Sequence, residues 1–252
     1  MARKISVQKI DNPFMDDYVR KEIEFYGISK YDKDGIKICT VEIIGRCDDF
    51  LNVNMRMGGL FCPKFFIDDR LWMSLTPLEI QSHYLPIKKA KGKIAVGGLG
   101  MGYYLLKVME KDNVSIIDVY EQEQRVVDFF KENFSDRKGF EKVEFIVGDI
   151  RKTLNKEQYN FAYIDIYHSI LPSAVITDKE LFCSTNQISE YHFWCQEKVL
   201  KYAYEHELLT MDDFDRDLIK LFLKWNQTPA SKLRDPDIDI DFVECCLDTF
   251  GF

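Results

Sequence analysis

Between residues 93 and 164 the apolar positions follow two alternating rhythms. Short, nearly unbroken runs at Lys93–Val96, Val114–Tyr120, Val143–Val147 and Phe161–Ile164 read as strands buried on both faces. The segments between the earlier runs change to a period near 3.6. Tyr103–Lys111 reads as a helix, and so does the stretch QRVVDFFKENF. The latter places Val126, Val127, Phe130 and Phe134 on one face, with Asp128, Lys131 and Glu132 on the other. Such βαβ alternation predicts an α/β fold, a Rossmann-like parallel sheet with right-handed crossovers. Ligands of such sheets sit at the carboxyl ends of the strands.

The chain enters this region through Thr76-Pro77-Leu78-Glu79. A capping threonine, a proline at the first helical position and a glutamate three residues after the cap predict a helix from Pro77 to about Lys89. Residues 1–75 read as a β-rich N-terminal appendage. Within it, Phe14–Phe25 suits a short helix, Asp34–Gly45 carries a turn signal followed by β-branched residues, and Lys64–Met73 suits a hairpin. Asn52–Leu60 reads as a loop between them. Residues 76–252 are expected to form the core together with a helical C-terminal segment. After Asp165 the alternation is expected to stop. Gln187–Leu209 is helical in period through Tyr191, Trp194, Cys195, Val199 and Tyr202. Thr210 then caps a second helix, Met211–Trp225, and 228–241 is a polar loop. These C-terminal helices suit a lid over a site, a dimer contact in a homo-oligomer, or a cover for the sheet edge.

Composition narrows the classes. In 252 residues, 46% hydrophobic and 14% aromatic, there is ample material for a packed core. A net charge of −8 argues against a broad nucleic-acid-binding face. No apolar run is long enough to cross a membrane, and the first residues lack the apolar centre of a signal peptide. The seven cysteines show no zinc spacing, and their odd number suits reduced thiols in a cytoplasmic setting. No metal site is expected.

Four candidate features fall at strand ends. Gly98, Gly100 and Gly102 alternate in KIAVGGLGMGYYLL, between a strand and a helix start whose N–H groups lack partners. A dinucleotide fingerprint would need glycine at 103, where Tyr103 stands. Glu121 closes the next strand, where an acid can accept from both ribose hydroxyls; Glu123 is a rival, and Asp118 lies inside the strand. Asp149 follows Val143–Val147, where a carboxylate can accept from an adenine amine or cap the next helix. Asp165 follows Phe161–Ile164, at the reactive end of a cofactor laid along the strand ends.

The motifs GGLGMG, YEQEQRVV, VGDIRKTL and YNFAYIDIYHS resemble the class I S-adenosylmethionine-dependent methyltransferase fold, and within it the spermidine synthase-like branch. The likeness spans roughly residues 73–170. It implies S-adenosylmethionine or its decarboxylated form as cofactor. Gly98, Gly100 and Gly102 would lie against the methionine part, Glu121 would hold the ribose, Asp149 the adenine amine, and Ile150 would line the adenine pocket. It also implies transfer to a small-molecule acceptor, with Asp165 and His168 as catalytic candidates. An imidazole has a suitable pKa for a base, and a nearby carboxylate orients it.

Three departures stand beside the likeness. Val96 replaces the acid that methyltransferases usually carry before the glycines. Asp165-Ile166-Tyr167-His168 replaces the D-S-S-D stretch of aminopropyltransferases, so one of two carboxylates is gone. The same residues do not fit the D/N-P-P-Y/F pattern of nucleic-acid amino-methyltransferases. The last strands of a seven-stranded methyltransferase sheet have no counterpart after Asp165, which predicts a truncated sheet. The alternatives left open are an aminopropyltransferase and a non-catalytic adenosyl-binding or interaction module.

Overall fold

The computed structural model describes residues 13–48, 54–154, 158–168, 172–184 and 188–194. A helix, α1 (Pro13–Tyr26), leads into four strands: β1 (Lys30–Lys33), β2 (Ile36–Asp48), β3 (Asn54–Ile67) and β4 (Arg70–Ser74). They form an antiparallel sheet in chain order. Two tight turns shape it. Asp34 and Gly35 both have positive φ, 52° and 79°, as do Asp68 and Asp69, 48° and 59°. That is the backbone which matches the twist of a two-residue hairpin.

The parallel sheet follows. After α2 (Pro77–Lys89) come β5 (Gly92–Gly97), α3 (Tyr103–Met109), β6 (Val114–Glu121), α4 (Gln124–Phe134), β7 (Val143–Val147), the one-turn α5 (Ile150–Thr153) and β8 (Phe161–Ile164). A further helix, α6 (Pro172–Cys183), and a short strand, β9 (Tyr191–Phe193), complete the described part. The spatial order is β7-β6-β5-β8-β9. The chain therefore starts in the middle, winds outward one way, then returns to the other side of β5. That reversal opens a crevice at the carboxyl end of β5, where ligands of open α/β sheets bind. The fold is the Rossmann-like α/β sheet of methyltransferase type.

Local causes are plain in the amphipathic elements. α4 buries Val126, Val127, Phe129, Phe130 and Phe134 and exposes Asp128, Lys131 and Glu132. α3 is buried nearly all round, and its one charged residue, Lys107, donates to Glu22 of α1 at 2.9 Å. Glu22 also accepts from the Tyr103 hydroxyl at 2.7 Å, so a buried carboxylate seats α1 on α3. Arg125, at the start of α4, reaches the antiparallel sheet. It holds Asp68 through two bonds of 2.7 and 3.0 Å and donates to the Asp34 carbonyl at 3.3 Å. One guanidinium thus ties both hairpin turns to the parallel unit.

Two expectations are corrected. The stretch 54–60, read as loop, is the first half of β3 and pairs with β2, with a register shift between Ile43 and Gly45. Gly58 and Gly59 look like breakers locally, but a long partner strand satisfies their backbone and overrides propensity. The alternation also does not stop at Asp165. α6 carries the chain across, and Tyr191–Phe193 pairs in parallel with β8, Tyr163 opposite His192. Three aromatic-rich residues are too short a run to declare a strand by period; the free edge of β8 supplies the reason. The expected helices beyond residue 194 and the loop at 228–241 lie outside the described residues.

Among the described residues no helix is long and apolar enough to cross a membrane. Cys39 and Cys62 are free thiols.

Candidate functional site

β5 ends at Gly97, and the chain turns sharply through Gly98 (φ 86°), Gly100 (φ 53°) and Gly102 (φ 87°). A Cβ on Gly98 would stand 2.0 Å from the carbonyl oxygen of Asp165, and one on Gly102 2.4 Å from the Phe130 ring. The glycines let the loop press against the end of β8 on one side and α4 on the other. The same close packing keeps this backbone thin where it borders the crevice.

Glu121 sits at the end of β6 and braces the loop. One carboxylate oxygen accepts the Leu99 N–H at 2.9 Å, the other the Glu123 N–H at 2.9 Å. Each oxygen retains a lone pair for a second donor. Asp149 is the N-cap of α5, accepting from the Arg151 N–H at 3.0 Å. Its neighbours Gly148 and Ile150 line the crevice, and the Ile150 side chain lies under Gly97.

These parts meet in a cavity of about 440 Å³, a size that suits a small ligand. Its wall carries Glu79, Glu121, Glu123 and Asp165, and among the described residues that line it there is no lysine or arginine. Aromatic residues supply most of the rest: Trp72, Tyr120, Tyr167 and Trp194. A wall of carboxylates and ring faces suits a cation. Met73 and Trp72 come from β4, so the antiparallel sheet contributes to the mouth.

Asp165 and His168, three residues apart, go separate ways. His168 is exposed at the mouth, its ring stacked on Trp72 with centroids 4.7 Å apart and planes 14° off parallel. The imidazole that meets Asp165 is His83 of α2, whose Nε2 lies 3.7 Å from Asp165 Oδ2. His83 Nδ1 lies 3.7 Å from a carboxylate oxygen of Glu79. The nearest ligand atoms of these three residues all fall within 4.8 Å of one another, a spacing that would also admit a metal ion.

Sequence reasoning missed this cluster. Thr76 accepts the Glu79 N–H at 3.4 Å, as the capping pattern predicts, but the Glu79 carboxylate turns inward. The available signal was the spacing of Glu79 and His83, four residues apart and so on one helix face.

Two further networks fix the walls. Asp178 of α6 accepts from Arg151 at 2.7 and 2.8 Å and from the Tyr167 hydroxyl at 2.8 Å, pinning the loop after β8. Trp194 donates to Ser82 at 3.0 Å, and Ser82 donates to the Glu79 carbonyl at 2.8 Å, tying the end of β9 to α2.

Burial pushes the Glu79 carboxyl up to about 7, His83 opposing the rise and Asp165 adding to it. A carboxyl raised on folding contributes stability that is complete below its unfolded value and lost as pH climbs through the folded one. Wild-type stability is therefore expected to fall between about pH 4.5 and 7. Glu79→Gln removes this slope, so its urea midpoint should gain on the parent from pH 5 to pH 8. A gap that stays constant across that range contradicts the assignment.

No protein-family model matches the chain. No curated protein matches it either. Solved structures do match. A spermidine synthase from Thermotoga maritima is 18% identical, with a TM-score of 0.40 over 71% of this chain and 62% of that one. A spermidine synthase in complex with the transition-state analogue AdoDATO is 16% identical, with a TM-score of 0.40 over 71% and 61%. An RNA methyltransferase from Pyrococcus horikoshii is 17% identical, with a TM-score of 0.36 over 52% and 69%. The matched part spans about three fifths of the length of those spermidine synthases. The class of the fold rests on the strand order and the glycine loop described above.

Proposed function

We propose that this chain is an S-adenosylmethionine-dependent transferase, a methyltransferase acting on a small-molecule acceptor. The observation that carries the reading is convergence: the glycine loop, Glu121 and Asp165 border one cavity at the carboxyl ends of β5, β6 and β8. In this reading the methionine part runs along Gly98 and Gly100. Glu121 receives the ribose hydroxyls on its remaining lone pairs, and Ile150 forms the apolar wall for adenine. The adenine amine donates to Asp149, which caps α5 with the same carboxylate. A sulfonium is a cation, and the acidic wall suits it. The protein's share in catalysis is alignment of the acceptor and removal of its proton, for which Asp165 is placed. A cytoplasmic setting belongs to the same proposal, supported by the free thiols of Cys39 and Cys62.

The same wall favours a cationic amine as acceptor. That supports a second reading, aminopropyl transfer from decarboxylated S-adenosylmethionine, and the two differ only in donor.

Calorimetry with S-adenosylmethionine, its demethylated product and the decarboxylated form decides the matter. Binding of the first two supports methyl transfer, preference for the third supports aminopropyl transfer, and binding of none overturns both. Glu121→Ala is expected to weaken the product form about 10- to 100-fold, the worth of a charge-assisted hydrogen bond or two. Unchanged affinity in that variant removes Glu121 from the ribose site.

A further inference from the structure

His83 has no part in adenosyl binding, yet it is only 3% exposed and stands between two carboxylates. Its Nδ1 lies 2.6 Å from the Glu79 carbonyl. A carbonyl only accepts, so Nδ1 carries a hydrogen and donates it. That fixes the other nitrogen's role. A bare Nε2 would aim its lone pair at the Asp165 carboxylate 3.7 Å away, whereas a protonated one completes an ion pair. From α3 the ring meets Tyr103, whose hydroxyl donates to Glu22, and Tyr104, whose hydroxyl donates to the Pro86 carbonyl. From β8 it meets Tyr163, and from its own helix the Ser82 hydroxyl at 3.4 Å. The negative groups facing the ring are Glu79 and Asp165.

We infer that His83 is a positioning residue for Asp165: its imidazolium grips Oδ2 from inside the protein and keeps that carboxylate ionised at the cavity wall. The need is electrostatic. Asp165 shares the cavity with Glu79, Glu121 and Glu123, and like charges this close drive one another toward the protonated form. Burial alone would discharge the imidazolium, but Asp165 and Glu79 outweigh it, and the net shift of His83 is upward.

What Asp165 then does rests on the transferase reading; the pairing itself does not. An acceptor arriving as an ammonium gives up one proton to the Asp165 carboxylate. The N–H bond breaks with its electron pair left on nitrogen, an O–H bond forms on the acid, and the amine becomes a nucleophile. An Asp165 that arrived already protonated could not take part.

The test is the titration of Asp165, followed by carbon-13 NMR on the full chain with carboxyl-labelled aspartate, in EDTA and without ligand. Asp165→Asn identifies the resonance. In His83→Gln the midpoint is expected to rise by about one to three pH units, the usual effect of removing an adjacent opposite charge. An unchanged midpoint in a folded variant overturns the inference. If that variant does not fold, nitrogen-15 shifts of His83 in the parent protein decide it. Both ring nitrogens protonated at pH 7 supports the pairing, and a neutral ring overturns it. Neither readout needs a cofactor. A protein that shows the shift but binds no adenosyl compound keeps the pairing and loses the transferase reading. Where turnover is measurable, the acid limb of kcat/KM should move upward in His83→Gln, which a purely structural role would not produce.

Discussion

Gly98→Ala is expected to destabilise the fold by on the order of 3 kcal/mol and to abolish adenosyl binding. The position is wrong for a side chain twice over. Its φ of 86° is one that residues with a Cβ rarely adopt, and the new methyl would stand 2.0 Å from the Asp165 carbonyl. Neither partner can step aside cheaply. Gly98 N–H donates to the Tyr120 carbonyl at 2.8 Å, and Asp165 N–H donates to the Gly97 carbonyl at 2.7 Å, so loop and strand end are laced together. Relieving the clash must pull the loop from β6 or Asp165 from the cavity wall. Gly100→Ala also meets a positive φ, but its neighbour is the flexible tip of Met73, and a smaller loss is expected there. Urea midpoints and calorimetry on both variants check the order. A Gly98→Ala protein with parental stability would mean that the loop does not press on β8 as described.

Asp165→Asn should leave adenosyl affinity within about twofold of the parent and lower the transfer rate about 10²- to 10⁴-fold, the usual worth of a positioned base. Asparagine keeps the shape and loses the ability to take a proton. Single-turnover transfer from a labelled donor measures this directly. His168→Ala makes the instructive comparison: its ring is exposed and stacked on Trp72, away from His83, so a much smaller change is expected. Parental turnover in Asp165→Asn would remove the carboxylate from the chemistry.

The parallel sheet was legible because its central strands are buried on both faces and so appear as apolar runs. β6 and β8 show this directly, Ile117, Val119, Phe161, Ala162 and Ile164 all being buried. β9 was illegible for the opposite reason. It is three residues long, and only the free edge of β8 tells it apart from a helix turn. Glu79 and His83 escaped notice because each had a sufficient local explanation, a helix cap and a core histidine. What joins them to Asp165 is a meeting of α2 with the end of β8, which no local window contains. Asp149 shows the limit of reading one position at a time. Cap and ligand acceptor ask for the same residue at the same place, and the cap is the role visible in the fold.

The cavity draws its two sides from different sheets. Its inner side is made by strand ends of the parallel unit, where Gly98, Glu121 and Asp165 stand, and its outer rim includes Trp72 and Met73 of β4. Arg125 fastens the turn just before β4, so the rim is held in place by a contact remote from the chemistry. Donor and acceptor preference are therefore separable in sequence space: residues of one hairpin strand can be exchanged to admit a different acceptor while the adenosyl wall stays intact. In such an arrangement new substrates are reached by rewriting β4, with the parallel sheet as an unchanging engine beneath it.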